Sequence, residues 1–351
     1  MIKLGVCIDD VWRYIGVKPP PSIIIPHVFF SSLIFKKASI LEKIHLPHKK
    51  ADLNSIDSLA KTLSKAGVKF VRFWLQWNFI QPTLSAFNDS SKYTWVKLDQ
   101  FINALKQAGI ELLPVVGCGY QRMLPNELVD PTKNAVEYIK RVYESTREIV
   151  GRYKNLIKIW QIENEPNWWF AHYAAGWRKG LVWFNSKFKQ MLLSSLKDAV
   201  TSEDKNAQIV INLEVDRRVK DLSFYGKYCD IIGLDYYPNY SHAKPIDVSN
   251  LIPKAKNILE EAGKRIIVCE TGYPSAPSIL GYSKMLQAIY IKKLQEALND
   301  ESLIEAVFIW RLSDSKWRSF PEHENHFGLI EVDGTPKPSW YAYLSWIKKF
   351  K

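Results

Sequence analysis

Beyond residue 50 the apolar positions follow two rhythms that take turns along the chain. Leu53, Ile56, Leu59, Ala60 and Leu63 recur every three to four residues, the period of a helix that buries one face. Short apolar runs such as 208–213 and 265–269 lack polar alternation, which suits strands covered on both sides. On this basis helices are expected at 52–66, 95–108, 132–150, 185–200, 219–228, 251–262, 283–298 and 340–350. Strands are expected at 3–8, 68–75, 110–116, 157–163, 208–213, 230–235, 265–269 and 303–310. Gly67, Gly109, Gly151 and Gly263 stand where helices end, the place for a left-handed closing residue.

Eight strands separated by helices demand parallel pairing, because only crossover connections join parallel strands. The expected fold is therefore α/β, a single (β/α)8 barrel over residues 1–351 that ends in a helix. No glycine-rich phosphate loop follows the first strand and no GxGxxG occurs, which argues against an open doubly wound sheet. One segment breaks the rhythm. Residues 15–47, with Pro19-Pro20-Pro21 and an apolar stretch at 23–35, read as an insertion after strand 1, either packed on the barrel or forming a lid or cleft wall.

Composition narrows the class. A hydrophobic content of 47% in 351 residues is enough for a large core. The net charge of +12 raises the question of a polyanionic partner, but the lysines are scattered, as at Lys36-Lys37 and Lys292-Lys293, and form no basic tail. No nucleic-acid partner is expected. Nor is an integral membrane segment, since no apolar run approaches the roughly 20 residues of a span. Cys7, Cys118, Cys229 and Cys269 lie in or beside strands without CxxC spacing, and read as buried thiols rather than a zinc site. The first ten residues read as a strand rather than a signal peptide, so a reducing, cytoplasmic setting is expected. Nothing in the pattern fixes an oligomeric state.

In a parallel barrel the working side chains stand at the C-terminal strand ends. Here those ends carry Asp9, Asp10 and Trp12; Arg72, Trp74, Gln76 and Trp77; Cys118, Tyr120, Gln121 and Arg122; Asn164, Glu165, Trp168 and Trp169; Glu214 and Asp216; Asp235, Tyr236 and Tyr237; Glu270 and Tyr273; and Trp310, Arg311 and Asp314. The set is rich in carboxylates and aromatics, and the chain has 13 Trp, 17 Tyr and 16 Phe, a surplus suited to stacking on flat apolar faces. Glu322, His323, Glu324 and His326 read as a solvated loop, with a metal cluster as the alternative.

Asn164-Glu165-Pro166 on the fourth strand, Glu270 on the seventh and Trp310 on the eighth resemble the large clan of retaining glycoside hydrolases on a TIM barrel. That clan includes β-glucosidases, cellulases, mannanases, xylosidases and galactanases. Residues 67–77 (GVKFVRFWLQW) and 326–343 (HFGLIEVDGTPKPSWYAY) resemble the second strand and the segment after the eighth. The resemblance implies cleavage of a β-linked oligosaccharide or glycoside without metal or cofactor. It makes Glu165 the acid/base and Glu270 the nucleophile, two groups that a retaining mechanism places about 5–5.5 Å apart. It also implies that Arg72 and a strand-six tyrosine hold Glu270 charged, that Asn164 binds the sugar 2-hydroxyl, and that Trp310 floors the subsite. Of the tyrosines, Tyr237 is preferred over Tyr236 because two-residue periodicity sets it on the face of Asp235. Trp168, Trp169 and Trp177 read as loop packing or as sugar-stacking faces, and Glu163 as a structural carboxylate. Two rival readings use the same residues: a silent carbohydrate-binding barrel and a transglycosylase. In the details the chain departs from individual families: Glu163 precedes Asn164 where β-glucosidases have Thr, and Thr271-Gly272-Tyr273-Pro274 follows the nucleophile.

Overall fold

Eight strands pair edge to edge in chain order and close on themselves: β1 Lys3–Ile8, β2 Phe70–Trp74, β3 Glu111–Val116, β4 Ile159–Ile162, β5 Gln208–Glu214, β6 Ile231–Tyr236, β7 Arg265–Thr271 and β8 Ile304–Ile309. Every neighbouring pair is parallel, including β8 with β1. The computed structural model describes residues 2–9, 11, 14, 50–81, 95–119, 124, 125, 127–168, 185–216, 219–299, 302–315 and 321–349. The segment 15–47 lies outside the described residues, as do Asp10, Trp12, Tyr120, Gln121, Arg122, Trp169 and Trp177.

The strand side chains divide between two cores. Phe70, Leu113, Val210, Ile231, Ile267, Ala306 and Phe308 form a cluster inside the barrel. Val71, Phe73, Ile209, Ile211, Ile232 and Leu234 belong to the larger layer between strands and helices. Both strand faces are thus buried, which is why the runs show no polar alternation.

The helices that cover the barrel are α1 Ile56–Ala66, α2 Trp77–Ile80, α3 Trp95–Gln107, α4 Ala135–Tyr153, α5 Ser186–Glu203, α6 Leu222–Gly226, α7 Leu251–Ala262, α8 Lys284–Leu298 and α9 Pro338–Lys349. Their ends follow local chemistry. Ser55 caps α1 by accepting from the Ser58 amide, and Gly67 closes it at φ 82°. Gly263 closes α7 at φ 63° in the same way.

Gly151 does not behave as expected. It lies inside α4, which runs on to Tyr153 because Val150 and Tyr153 continue its buried face. The missing side chain is used differently. A Cβ there would meet the Glu203 carboxyl at 3.0 Å, where that group pairs with Arg147 and Lys154. All four cysteines are buried thiols, and none of them is joined in a disulfide. Among the described residues no helix is long and apolar enough to cross a membrane.

Candidate active site

The site is built around Arg72, which projects inward from β2 and has no exposed surface. Its Nη1 donates to Glu270 Oε1 at 2.7 Å, its Nη2 to Asn164 Oδ1 at 3.0 Å and its Nε to Gln161 Oε1 at 2.6 Å. The guanidinium lies 4.6 Å from the centre of the Trp74 ring. One rigid planar cation thus organises side chains from β4 and β7.

After β4 the backbone turns sharply. Glu163 and Glu165 adopt left-handed φ values of 57° and 45°. A non-glycine residue in that region costs about 1–3 kcal/mol and persists only where neighbours hold it. Here they do. The Glu163 carboxyl accepts from the Gly119 amide with both oxygens at 3.0 Å, and from the Asn164 amide at 2.9 Å. Asn212 Oδ1 on β5 accepts from the Glu165 amide at 3.0 Å. The Asn167 side-chain amide exchanges two hydrogen bonds with the Glu214 backbone, at 2.8 and 3.1 Å. The turn that presents Asn164 and Glu165 is thereby tied to both neighbouring strands. Glu163 is the structural carboxylate expected of it.

Glu270 reaches the pocket through an irregularity. Leu234 pairs with Val268, but the next residue, Asp235, pairs with Glu270. One residue is skipped, so Cys269 joins the inner cluster and Glu270 also turns inward, to Arg72. Tyr237 completes its surroundings by donating from its hydroxyl to Glu270 Oε2 at 2.7 Å. The Asp216 carboxyl holds the Tyr237 amide at 3.0 Å. Tyr236, the other expected candidate, must be removed from the site. Strand alternation turns it into the layer beneath the helices, where it is buried and its hydroxyl meets no hydrogen-bond partner among the described residues.

Glu165 and Glu270 come together at the barrel mouth, each 6% exposed and close enough to repel one another. Their surroundings differ. Glu270 has Arg72 and Tyr237 as donors. Burial pushes Glu165 well above the ordinary carboxyl range, the charges of Glu270 and Glu214 add to the rise, and Arg72 opposes it. Asn164 links the two, accepting from Arg72 and lying 3.5 Å from Glu165 Oε2 through Nδ2. Trp310 is half-buried at the end of β8, its ring edge-on to Trp74 with centroids 5.1 Å apart. Trp168 is half-buried just past the turn, its amide donating to the Glu165 carbonyl at 2.9 Å.

The 322–326 stretch is not a solvated loop. It is a 3-10 turn in which His323 is buried against Tyr240, and Glu324 accepts from the Tyr240 hydroxyl. Sequence reasoning missed Gln161 and Asn212 and gave Asp235 no role. Their signal was a polar residue at an inward position of an otherwise apolar strand, the same signal that marked Arg72.

A family model, glycosyl hydrolase family 53, matches residues 125–295. No curated protein matches the sequence. Among solved structures, a GH5_18 enzyme variant from Streptomyces cattleya in complex with Manβ1-4GlcNAc superposes with a TM-score of 0.69, at 13% identity over 100% of this chain and 81% of that one. A β-glucosidase from Thermotoga maritima in complex with azafagomine gives 0.63, at 18% identity over 83% and 85%. A GH2 β-galacturonidase from Eisenbergiella tayi gives 0.56, at 15% identity over 84% of this chain, which spans 47% of that longer one. At such identities the superpositions speak for the barrel alone. The family model over its middle, the closed barrel and the inward-facing Asn164, Glu165, Glu270 and Arg72 together place the chain with the TIM-barrel glycoside hydrolases at the level of the clan.

Proposed function

We propose that the protein is a retaining β-glycosidase acting on an oligosaccharide or glycoside. One observation carries the reading: two carboxyl groups share a pocket in opposite environments. Glu270 sits between a guanidinium and a phenol hydroxyl, which favour its ionised form. Glu165 is buried among negative charges, which favours its protonated form.

In the first step Glu270 attacks the anomeric carbon while Glu165 gives its proton to the departing oxygen. In the second, Glu165 takes a proton from water, and that water releases the sugar from Glu270. Asn164 stands beside Glu165 and against the Arg72 that holds Glu270, where it can bind the 2-hydroxyl as charge develops on the ring. The half-buried Trp310 offers an apolar face for the sugar. No step calls on a metal or cofactor.

Glu165→Ala and Glu270→Ala should each abolish hydrolysis of aryl β-glycosides. Azide should rescue Glu165→Ala on an activated substrate and yield a β-glycosyl azide. NMR of the first product formed by the native enzyme should show the β-anomer. An α-anomer as first product, or full activity in either variant, would overturn the proposal.

A further inference from the structure

A third carboxyl group stands in the same pocket, and double displacement makes no use of it. Asp235, near the end of β6, has no exposed surface and lies opposite Glu270 across the β6–β7 pairing. Its Oδ2 accepts from Asn212 Nδ2 at 2.5 Å. Its Oδ1 is buried and, among the described residues, receives no N–H or O–H. What does stand within hydrogen-bond reach is the carboxyl of Glu165.

Two carboxylates only accept hydrogen bonds, so a bond between them requires a proton on one. The charged and titratable groups facing the pair decide how readily that proton is held. Glu270 on β7 and Glu214 on β5 are negative, and Cys7 on β1 and Cys269 on β7 are buried thiols. Tyr237 already donates to Glu270. Arg72, the cation facing them among the described residues, is engaged by Glu270, Asn164 and Gln161. Burial raises Asp235 as it does Glu165, with Glu270 adding to both.

We propose that Asp235 is a positioning residue that keeps its own proton through the catalytic cycle and donates it in a hydrogen bond to Glu165 whenever Glu165 is ionised. The inference rests on Glu165 being the acid/base. When Glu165 protonates the leaving oxygen, the new carboxylate meets a donor instead of a second anion. The Asp235 proton never leaves Asp235. Glu165 loses one proton in the first step and regains one from water in the second, so the cycle balances.

Asparagine imitates a protonated aspartic acid: its carbonyl can accept from Asn212 while its NH2 donates to Glu165. Asp235→Ala should lower kcat by roughly 10- to 100-fold, as expected for losing a hydrogen bond to a charged group. Its alkaline limb in kcat/KM should move, whereas Asp235→Asn should restore most of the rate and the native limb. An infrared difference spectrum, wild type minus Asp235→Asn at neutral pH, reads the proton without turnover and should show a protonated carboxyl band. A difference containing only carboxylate bands, or Asp235→Asn as slow as Asp235→Ala, would overturn the proposal. If the native protein cleaves no glycoside, the hydrolase reading falls, while the infrared band still decides the state of Asp235.

Discussion

Replacing Arg72 by methionine tests how much of the barrel's stability is tied to its site. The guanidinium and the Glu270 carboxylate are both withdrawn from water, with side-chain exposures of 0% and 8%. Breaking a buried pair by deleting one partner costs about 3–5 kcal/mol, because the survivor stays buried and unpaired. Gln161 Oε1 also loses its donor, adding about 1–3 kcal/mol. Asn164 Oδ1 adds little, since Asn212 Nδ2 still donates to it at 2.9 Å. The expected loss for Arg72→Met is therefore about 4–8 kcal/mol, against total domain stabilities of about 5–15 kcal/mol. Urea unfolding followed by far-UV circular dichroism measures it. Adding Glu270→Gln to Arg72→Met removes the stranded charge and should return at least about 2 kcal/mol of that loss, read as the difference in stability between the single and double variants. A loss below about 1 kcal/mol, or no recovery in the double variant, would refute the idea that this ion pair holds the site together.

Two further outcomes follow from the geometry. Tyr237→Phe deletes a donor to Glu270 and should slow kcat by about 10- to 100-fold, whereas Tyr236→Phe, which removes a hydroxyl with no hydrogen-bond partner among the described residues, should leave kcat unchanged; equal effects on steady-state rates would contradict the assigned faces. Glu163 titrates differently once folded, since burial lifts it from 4.5 to about 8 against the pull of the Gly119 and Asn164 amides. Across that window the folded chain holds a proton that the unfolded chain has released. The stability this group contributes is therefore complete below pH 4.5 and lost as pH rises to about 8. In Glu163→Gln that slope should vanish, and parallel Tm-against-pH curves for the two proteins would show the reasoning to be mistaken.

The order of strands and helices was open to reading because the information is local. Buried periodicity lies within ten or so neighbouring residues, and a closing glycine or a capping serine acts on the turn beside it. Gly67 and Gly263 close their helices for that reason. Gly151 does not, because its role is to admit Glu203 from a different helix. The candidate chemistry was legible to the same depth. Arg72, Asn164, Glu165 and Glu270 stood out as polar residues at strand ends, and alternation from Asp235 ranked Tyr237 above Tyr236.

By itself, then, the sequence determined a (β/α)8 barrel and the main polar side chains at its mouth. Tertiary structure decided how those side chains face one another. The irregular β6–β7 register turns Glu270 inward, where unbroken alternation after Cys269 would point it out. Asn212 and Gln161 gain their roles only from partners on other strands, as Asn212 does from the Glu165 amide and Asp235. The left-handed Glu163 and Glu165 are held by Gly119 and Asn212, residues that neighbour them only once the barrel has closed. Such contacts join positions tens of residues apart, and their energies depend on register and burial, which no local pattern of residues encodes.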